Sequence, residues 1–80
     1  MIHEQRGEET AISEVREFGE RLREVRRAQE VTQEELADYS GLSRVSVIKI
    51  EGGGDLRLSN LLRLAGLLGL EVVVRPRGIR

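Results

Sequence analysis

Between residues 13 and 29 the apolar positions Val15, Phe18, Leu22 and Val25 recur at spacings of three and four, which places them on one face of an α-helix. Ser13 or Thr10 is the expected cap, and the helix is predicted to run to about Gln29. Its remaining faces carry Glu14, Glu17 and Glu20 early and Arg21, Arg23, Arg26 and Arg27 late. That order complements the helix dipole and reads as a solvated face.

The stretch Thr32 to Glu51, TQEELADYSGLSRVSVIKIE, predicts two short helices joined by a tight turn. Thr32 and Glu35 form a Thr-x-x-Glu capping box, in which each side chain satisfies the other's backbone amide. Leu36 and Ala37 are the apolar positions of this helix. Gly41 supplies the left-handed residue that ends it, and Ser43 is placed to cap the next helix two residues on. So brief a connection forces a steep crossing. On the second helix Val47 and Ile50 share an inward face at i, i+3, while Arg44, Val45 and Lys49 point elsewhere.

Gly52-Gly53-Gly54 breaks that helix, and Asp55 to Leu58 reads as a loop. Ser59 then caps a further predicted helix bearing Leu61, Leu62, Leu64, Ala65 and Leu68, with Gly69 at its end. Gly66, inside the pattern, costs up to about 1 kcal/mol relative to alanine and is read as a mark of close packing against another helix. After it the period changes. Glu71-Val72-Val73-Val74-Arg75 is a short β-branched run stopped by Pro76, the pattern of a strand. Nothing else in the sequence offers a strand to pair with it, so the expected partner is the same segment of a second copy across a two-fold axis, with Val72, Val73 and Val74 as dimerisation residues. The alternative is an extended tail packed on its own domain. Three parts are therefore expected: a polar tail over 1–12, one domain over 13–70, and a strand with a basic tail over 71–80.

A chain of 80 residues buries only about 60% of its unfolded surface, so a monomer is marginally stable and self-association is physically attractive. With no cysteine there is no disulfide framework or thiolate metal site, which fits a reducing cytoplasm. No apolar run approaches the roughly 20 residues of a membrane span, and the acidic start lacks a signal-peptide pattern. The net charge of −1 conceals a division along the chain. Residues 1–42 hold six Arg against eleven Asp or Glu, a balance of −5, whereas residues 43–80 hold seven Arg or Lys against three, a balance of +4. Because screening over about 8 Å keeps the field local, the average does not exclude a polyanionic partner, although it limits non-specific affinity.

Enzyme chemistry is disfavoured. His3 is the only histidine and lies in the expected tail, so neither a histidine metal cluster nor a histidine triad can be assembled. Gly52-Gly53-Gly54 is followed by Asp55 and not by the Gly-Lys-Ser/Thr of a phosphate loop. Glu34, Glu35 and Asp38 sit at a helix start, where capping and the dipole explain them. No cofactor is expected. One Phe and one Tyr offer no platform for stacking single-stranded bases.

The Thr32-Gln33-Glu34-Glu35-Leu36-Ala37 opening, the Gly41-Leu42-Ser43 turn, the Val47-x-x-Ile50-Glu51-x-Gly53 end and the later Leu61-Leu62-x-Leu64-Ala65-x-x-Leu68-Gly69-Leu70 together resemble the XRE/Cro/C1-type helix-turn-helix DNA-binding family over about Phe18 to Leu70. The resemblance implies an all-α, lambda-repressor-like bundle of about four helices, here followed by one short C-terminal β-strand. It also implies a nucleoid-associated regulator, a repressor reading a palindromic double-stranded DNA operator as a homodimer. Thr32 and Gln33 match the family positions that fix the phosphate backbone, aided by free amides at the helix start. Ser43, Arg44, Val45 and Ser46 match the start of the recognition helix, which enters the major groove. Arg44 can fork onto guanine O6 and N7, Val45 can lie against a thymine methyl, Lys49 can reach a base or phosphate, and Arg57 is a phosphate contact. Ile48 departs from the pattern, where relatives carry a polar residue, and is read as a packing, methyl-reading or protein-contact position. The ending Leu68 to Pro76 resembles HipB-like antitoxins, which implies a toxin-antitoxin operon and a toxin protein as a further partner, a HipA-like kinase or another. The competing reading is a protein-protein interaction module of the same fold without operator selectivity, using Ile48 and the acidic first half as its surface.

Overall fold

Four helices account for the regular structure of the described residues: α1, Val15–Ala28; α2, Gln33–Ser40; α3, Arg44–Glu51; and α4, Leu58–Leu67. This computed structural model describes residues 9–76 and 78, so His3 and most of the expected N-terminal tail lie outside them. The fold is all-α. Helices α1 and α2 both pack on α3, and α4 packs on α2. The core they enclose is Phe18, Leu22 and Val25 of α1, Leu36 and Ala37 of α2, Val47 and Ile50 of α3, and Leu64 with Leu68 from the α4 end. Val15 was expected on this stripe but stands exposed at the first residue of α1, and the buried stripe begins at Phe18.

Helix starts follow local chemistry, with two corrections. Thr32 and Glu35 form the expected reciprocal box, the Glu35 amide donating to Thr32 Oγ1 at 3.0 Å and the Thr32 amide to Glu35 Oε1 at 2.9 Å. Ser43 caps α3, accepting from the Ser46 amide at 3.0 Å. At α1, however, neither Thr10 nor Ser13 is the cap: that position is Glu14. The Glu17 carboxylate, a stronger acceptor than a hydroxyl, reaches back to the amides of Ser13 and Glu14 at 2.7 and 3.1 Å. Those bonds, the Ser13 amide first, hold the Glu17 carboxyl below its ordinary value. At α4 the helix opens at Leu58 with Arg57 in the cap position, ahead of the expected Ser59. The earlier start lets the Leu61 amide bond the Arg57 carbonyl at 3.0 Å and brings Leu61 against the core.

Two glycines decide the geometry of the reading element. Gly41 adopts φ 77°, the left-handed turn that aims α3 across α2. Gly19, buried in the middle of α1, lies against the backbone at the end of α3; a β-carbon there would collide with the carbonyl oxygen of Ile50. Close packing was expected at Gly66, yet a β-carbon added there meets open space. The helix-interior glycine that packs closely is Gly19.

Leu70 is the last residue packed against the core. Glu71 to Pro76 form no regular element in this single chain, and Val72, Val73 and Val74 are exposed. A strand needs a ladder partner, and the described residues of one chain contain no second strand to supply it. The segment's one described side-chain tie to the rest of the chain is an exposed ion pair from Arg75 to Glu9 at 3.1 Å.

Candidate nucleic-acid interface

Helix α3 has two sides. Val47 and Ile50 are buried in the core, and Glu51 is buried with them. Arg44, Val45, Ile48 and Lys49 face outward, Val45 73% exposed and Ile48 45% exposed. At about 100° per residue, Val45, Ile48 and Lys49 fall on the side of the helix opposite Val47 and Ile50, with Arg44 at the flank.

A cleft lies on each flank of this surface. In the first, Arg23, Arg26 and Arg27 of α1 stand opposite Arg44, with Thr32 and Gln33 at the start of α2 between them. In the second, Ser46 and Lys49 of α3 face Arg57 and Asn60. The fold thus brings Thr32, Gln33 and Arg44 together, and separately Ser46, Lys49 and Arg57. Arg23, Arg27, Arg44, Lys49 and Arg57 make no ion pair or side-chain hydrogen bond with another described residue. Such cations are available to a polyanion without breaking a contact. Glu30 and Glu34 line the first cleft and Asp55 the second, so the positive field is local and moderate.

Arg23, Arg27 and Asn60 are additions to the residues read from the sequence. Arg23 and Arg27 are spaced i, i+4 and end the helix that leads directly into α2, a local signal that was available. Ser43 is occupied: its hydroxyl accepts from the Ser46 amide and donates to Ser46 Oγ at 3.0 Å. Thr32 Oγ1 is likewise committed to its cap. What the start of α2 offers a phosphate is the unbonded amides of its first turn.

Beneath the surface lies an ion pair whose arginine, Arg26, the sequence reading placed on the solvated face of α1. Arg26 Nε donates to Glu51 Oε2 at 2.6 Å and Arg26 Nη2 to Glu51 Oε1 at 3.0 Å, while Arg26 Nη1 reaches the Val31 carbonyl at 2.7 Å. Gln33 Nε2 donates to Glu51 Oε1 at 3.1 Å. The two charged side chains are only 8% and 3% exposed. This network ties the end of α3 to α1 and to the first residue of α2, and it fixes which way the Gln33 amide points. One of the two Nε2 hydrogens is spent inward; the other remains for the cleft.

Among the described residues no group of His, Cys, Asp or Glu is arranged to hold a metal ion. No described helix is long and apolar enough to cross a membrane.

A family profile described as Helix-turn-helix matches residues 22–74. The restriction-modification controller protein C.AhdI from Aeromonas hydrophila is 45% identical, with a TM-score of 0.67 over 71% of this chain and 88% of that one. An uncharacterized HTH-type transcriptional regulator, RghRB of Bacillus subtilis (strain 168), is 43% identical over 53 residues, 64% of this chain; the chain spans only 38% of that relative's length. A chain in the structure of a HipA-HipB-O2-O3 complex shares the fold, with a TM-score of 0.77 over 88% of this chain and 100% of that one, at 18% identity.

Proposed function

The chain belongs to the helix-turn-helix family of DNA-binding regulators, and from that premise we propose that it is a sequence-specific repressor that grips a two-fold operator as a homodimer. The observation that carries this reading is the outward face of α3 lying between two clefts in which Arg23, Arg27, Arg44, Lys49 and Arg57 make no ion pair with another described residue. A helix enters the major groove with phosphates to either side, and this surface has reading residues in the middle and basic residues at both margins. In this reading Arg44 forks onto a guanine, Lys49 reaches a base or phosphate, and Arg23, Arg27, Arg57 and the α2 amides hold the backbone.

Size and surface support the homodimer. A domain this small gains from association, and Val72, Val73 and Val74 leave an apolar, unpaired segment that a second copy can complete as an antiparallel ribbon. For the biological setting, the 45% identity to a restriction-modification controller protein favours a controller role. An antitoxin role with a toxin partner rests on likeness of fold at 18% identity and on the C-terminal segment.

The test is selection of bound duplexes from a random pool, followed by titration of the winner against salt. A regulator enriches a symmetric site whose affinity falls steeply with salt; an adaptor of the same fold enriches none. Arg44→Ala should then cost about 1 to 3 kcal/mol and relax preference at one base pair per half-site. Gln33→Ala should weaken all duplexes alike.

A further inference from the structure

Two β-branched aliphatic side chains, Val45 and Ile48, stand on the outer face of α3 where water would favour polar residues. They belong to neither flanking cleft: Arg44 lines the first, and Ser46 and Lys49 line the second. Three residues apart, they are neighbours on one helix surface, separated by about 4.5 Å along the axis. That is close to the roughly 3.4 Å step between base pairs. Val45 is 73% and Ile48 45% exposed, and they are flanked by Arg23, Arg27 and Arg44 on one side and Lys49 and Arg57 on the other, none of which makes an ion pair with another described residue. The occupant this combination fits is therefore apolar at its centre and anionic at its margins. In a duplex major groove the one apolar group on a base edge is the C5 methyl of thymine.

Resting on the regulator reading above, we propose that Ile48 is a specificity-determining residue and that Val45 and Ile48 form a paired apolar probe for two thymine methyl groups on neighbouring base steps of each half-site. Such a probe discriminates without hydrogen bonds. It accepts thymine and rejects cytosine, which lacks the methyl group and sets its exocyclic amine against the aliphatic surface. Ile48 then has a function where its exposure would otherwise be a cost, and Arg44 and Lys49 at its sides supply the polar readout and anchoring.

The experiment uses the full chain and two random duplex pools, one built with thymine and one with deoxyuridine, which lacks only the C5 methyl group. The thymine pool should enrich a site with two thymines at or next to adjacent steps in each half. Changing each of these thymines singly to deoxyuridine should weaken binding about fourfold per contacted methyl, the ~0.8 kcal/mol of one buried carbon, and about fifteenfold when both half-sites are changed. In Ile48→Ala the penalty at one position should disappear, and in Val45→Ala the penalty at the other. Both residues are exposed, so neither variant should change the melting temperature appreciably. A selected site that tolerates deoxyuridine at every position overturns the proposal and leaves the regulator reading standing, as does a penalty that survives in Ile48→Ala. If the thymine pool enriches nothing, the regulator reading falls and this inference falls with it.

Discussion

Replacing Glu51 by alanine leaves the Arg26 guanidinium buried with only the Val31 carbonyl as acceptor, two of its three bonded donors having lost their partner. Breaking a buried pair from one side costs about 3 to 5 kcal/mol, because the remaining charge is neither solvated nor neutralised. A chain of 80 residues has a total stability of about 4 to 12 kcal/mol at 0.05 to 0.15 kcal/mol per residue, so one substitution removes a large share of it. The double replacement Arg26→Met with Glu51→Leu removes both charges and fills their volume; it should be neutral or stabilising by about 1 to 4 kcal/mol. The half-buried Gln33 amide then turns to water. The assay is urea unfolding at one fixed protein concentration, since association contributes to apparent stability. The expected result is a midpoint far below the parent for either single variant and near or above it for the double. Single variants costing less than about 1 kcal/mol, the range of a solvent-exposed pair, would refute the buried network.

Gly19→Ala should destabilise by about 1 to 3 kcal/mol or more in the same assay, since its β-carbon meets the Ile50 carbonyl and must push α1 away from α3. Gly66→Ala should raise stability by up to about 1 kcal/mol, because the added carbon meets open space and the helix gains propensity; a loss would mean that a second copy packs there. The Glu17 carboxyl titrates below its ordinary value in the folded chain, so its stabilising effect is present above that value and is lost as pH falls through the lower, folded one. Glu17→Gln should flatten this part of an acid-melting profile. Truncation before Glu71 should weaken self-association in sedimentation and lower operator affinity in step, as two half-sites are no longer held together. A truncated chain that associates as tightly as the parent would move the dimer contact to α4, where Leu58 and Leu62 are exposed.

What the sequence made legible was local. The capping box at Thr32, the left-handed Gly41, the Ser43 cap and the inward pair Val47 and Ile50 each follow from residues within four positions of one another, and the structure has all of them. The misassigned caps lie one or four positions from Glu14 at α1, where the Glu17 carboxylate takes the amides, and two positions from Arg57 at α4, where no side chain caps the helix. Arg26 and Glu51 were not legible as a pair, because 25 residues separate them and each has an adequate local explanation. Arg26 follows Leu22 by four, on the same face as the apolar stripe, and that placement was the one available sign that it turns inward. Gly19 gave no sign, because the group that excludes a side chain there is the backbone of another helix. The C-terminal run has strand chemistry but, in one chain, no partner to express it.

These constraints are unevenly distributed along α3, and the unevenness bears on function. Ile50, the Gly19 approach and the Arg26–Glu51 pair act on the second half of the helix, whereas its first half is held by the buried Val47 and the Ser43 cap. The second half sets the angle at which the helix leaves the body of the domain. The outward side of the first half carries Arg44 and Val45, and Ile48 stands where the two halves meet. In the regulator reading proposed above, substitutions at the exposed Arg44 or Val45 change what is read without unfolding the domain, while substitutions at Ile50, Glu51 or Gly19 destabilise it. On that reading the domain can acquire a new base preference at Arg44, Val45 or Ile48 while its α1–α3 contact stays intact, because these three side chains are exposed and lie outside the buried Arg26–Glu51 pair and the Gly19 approach.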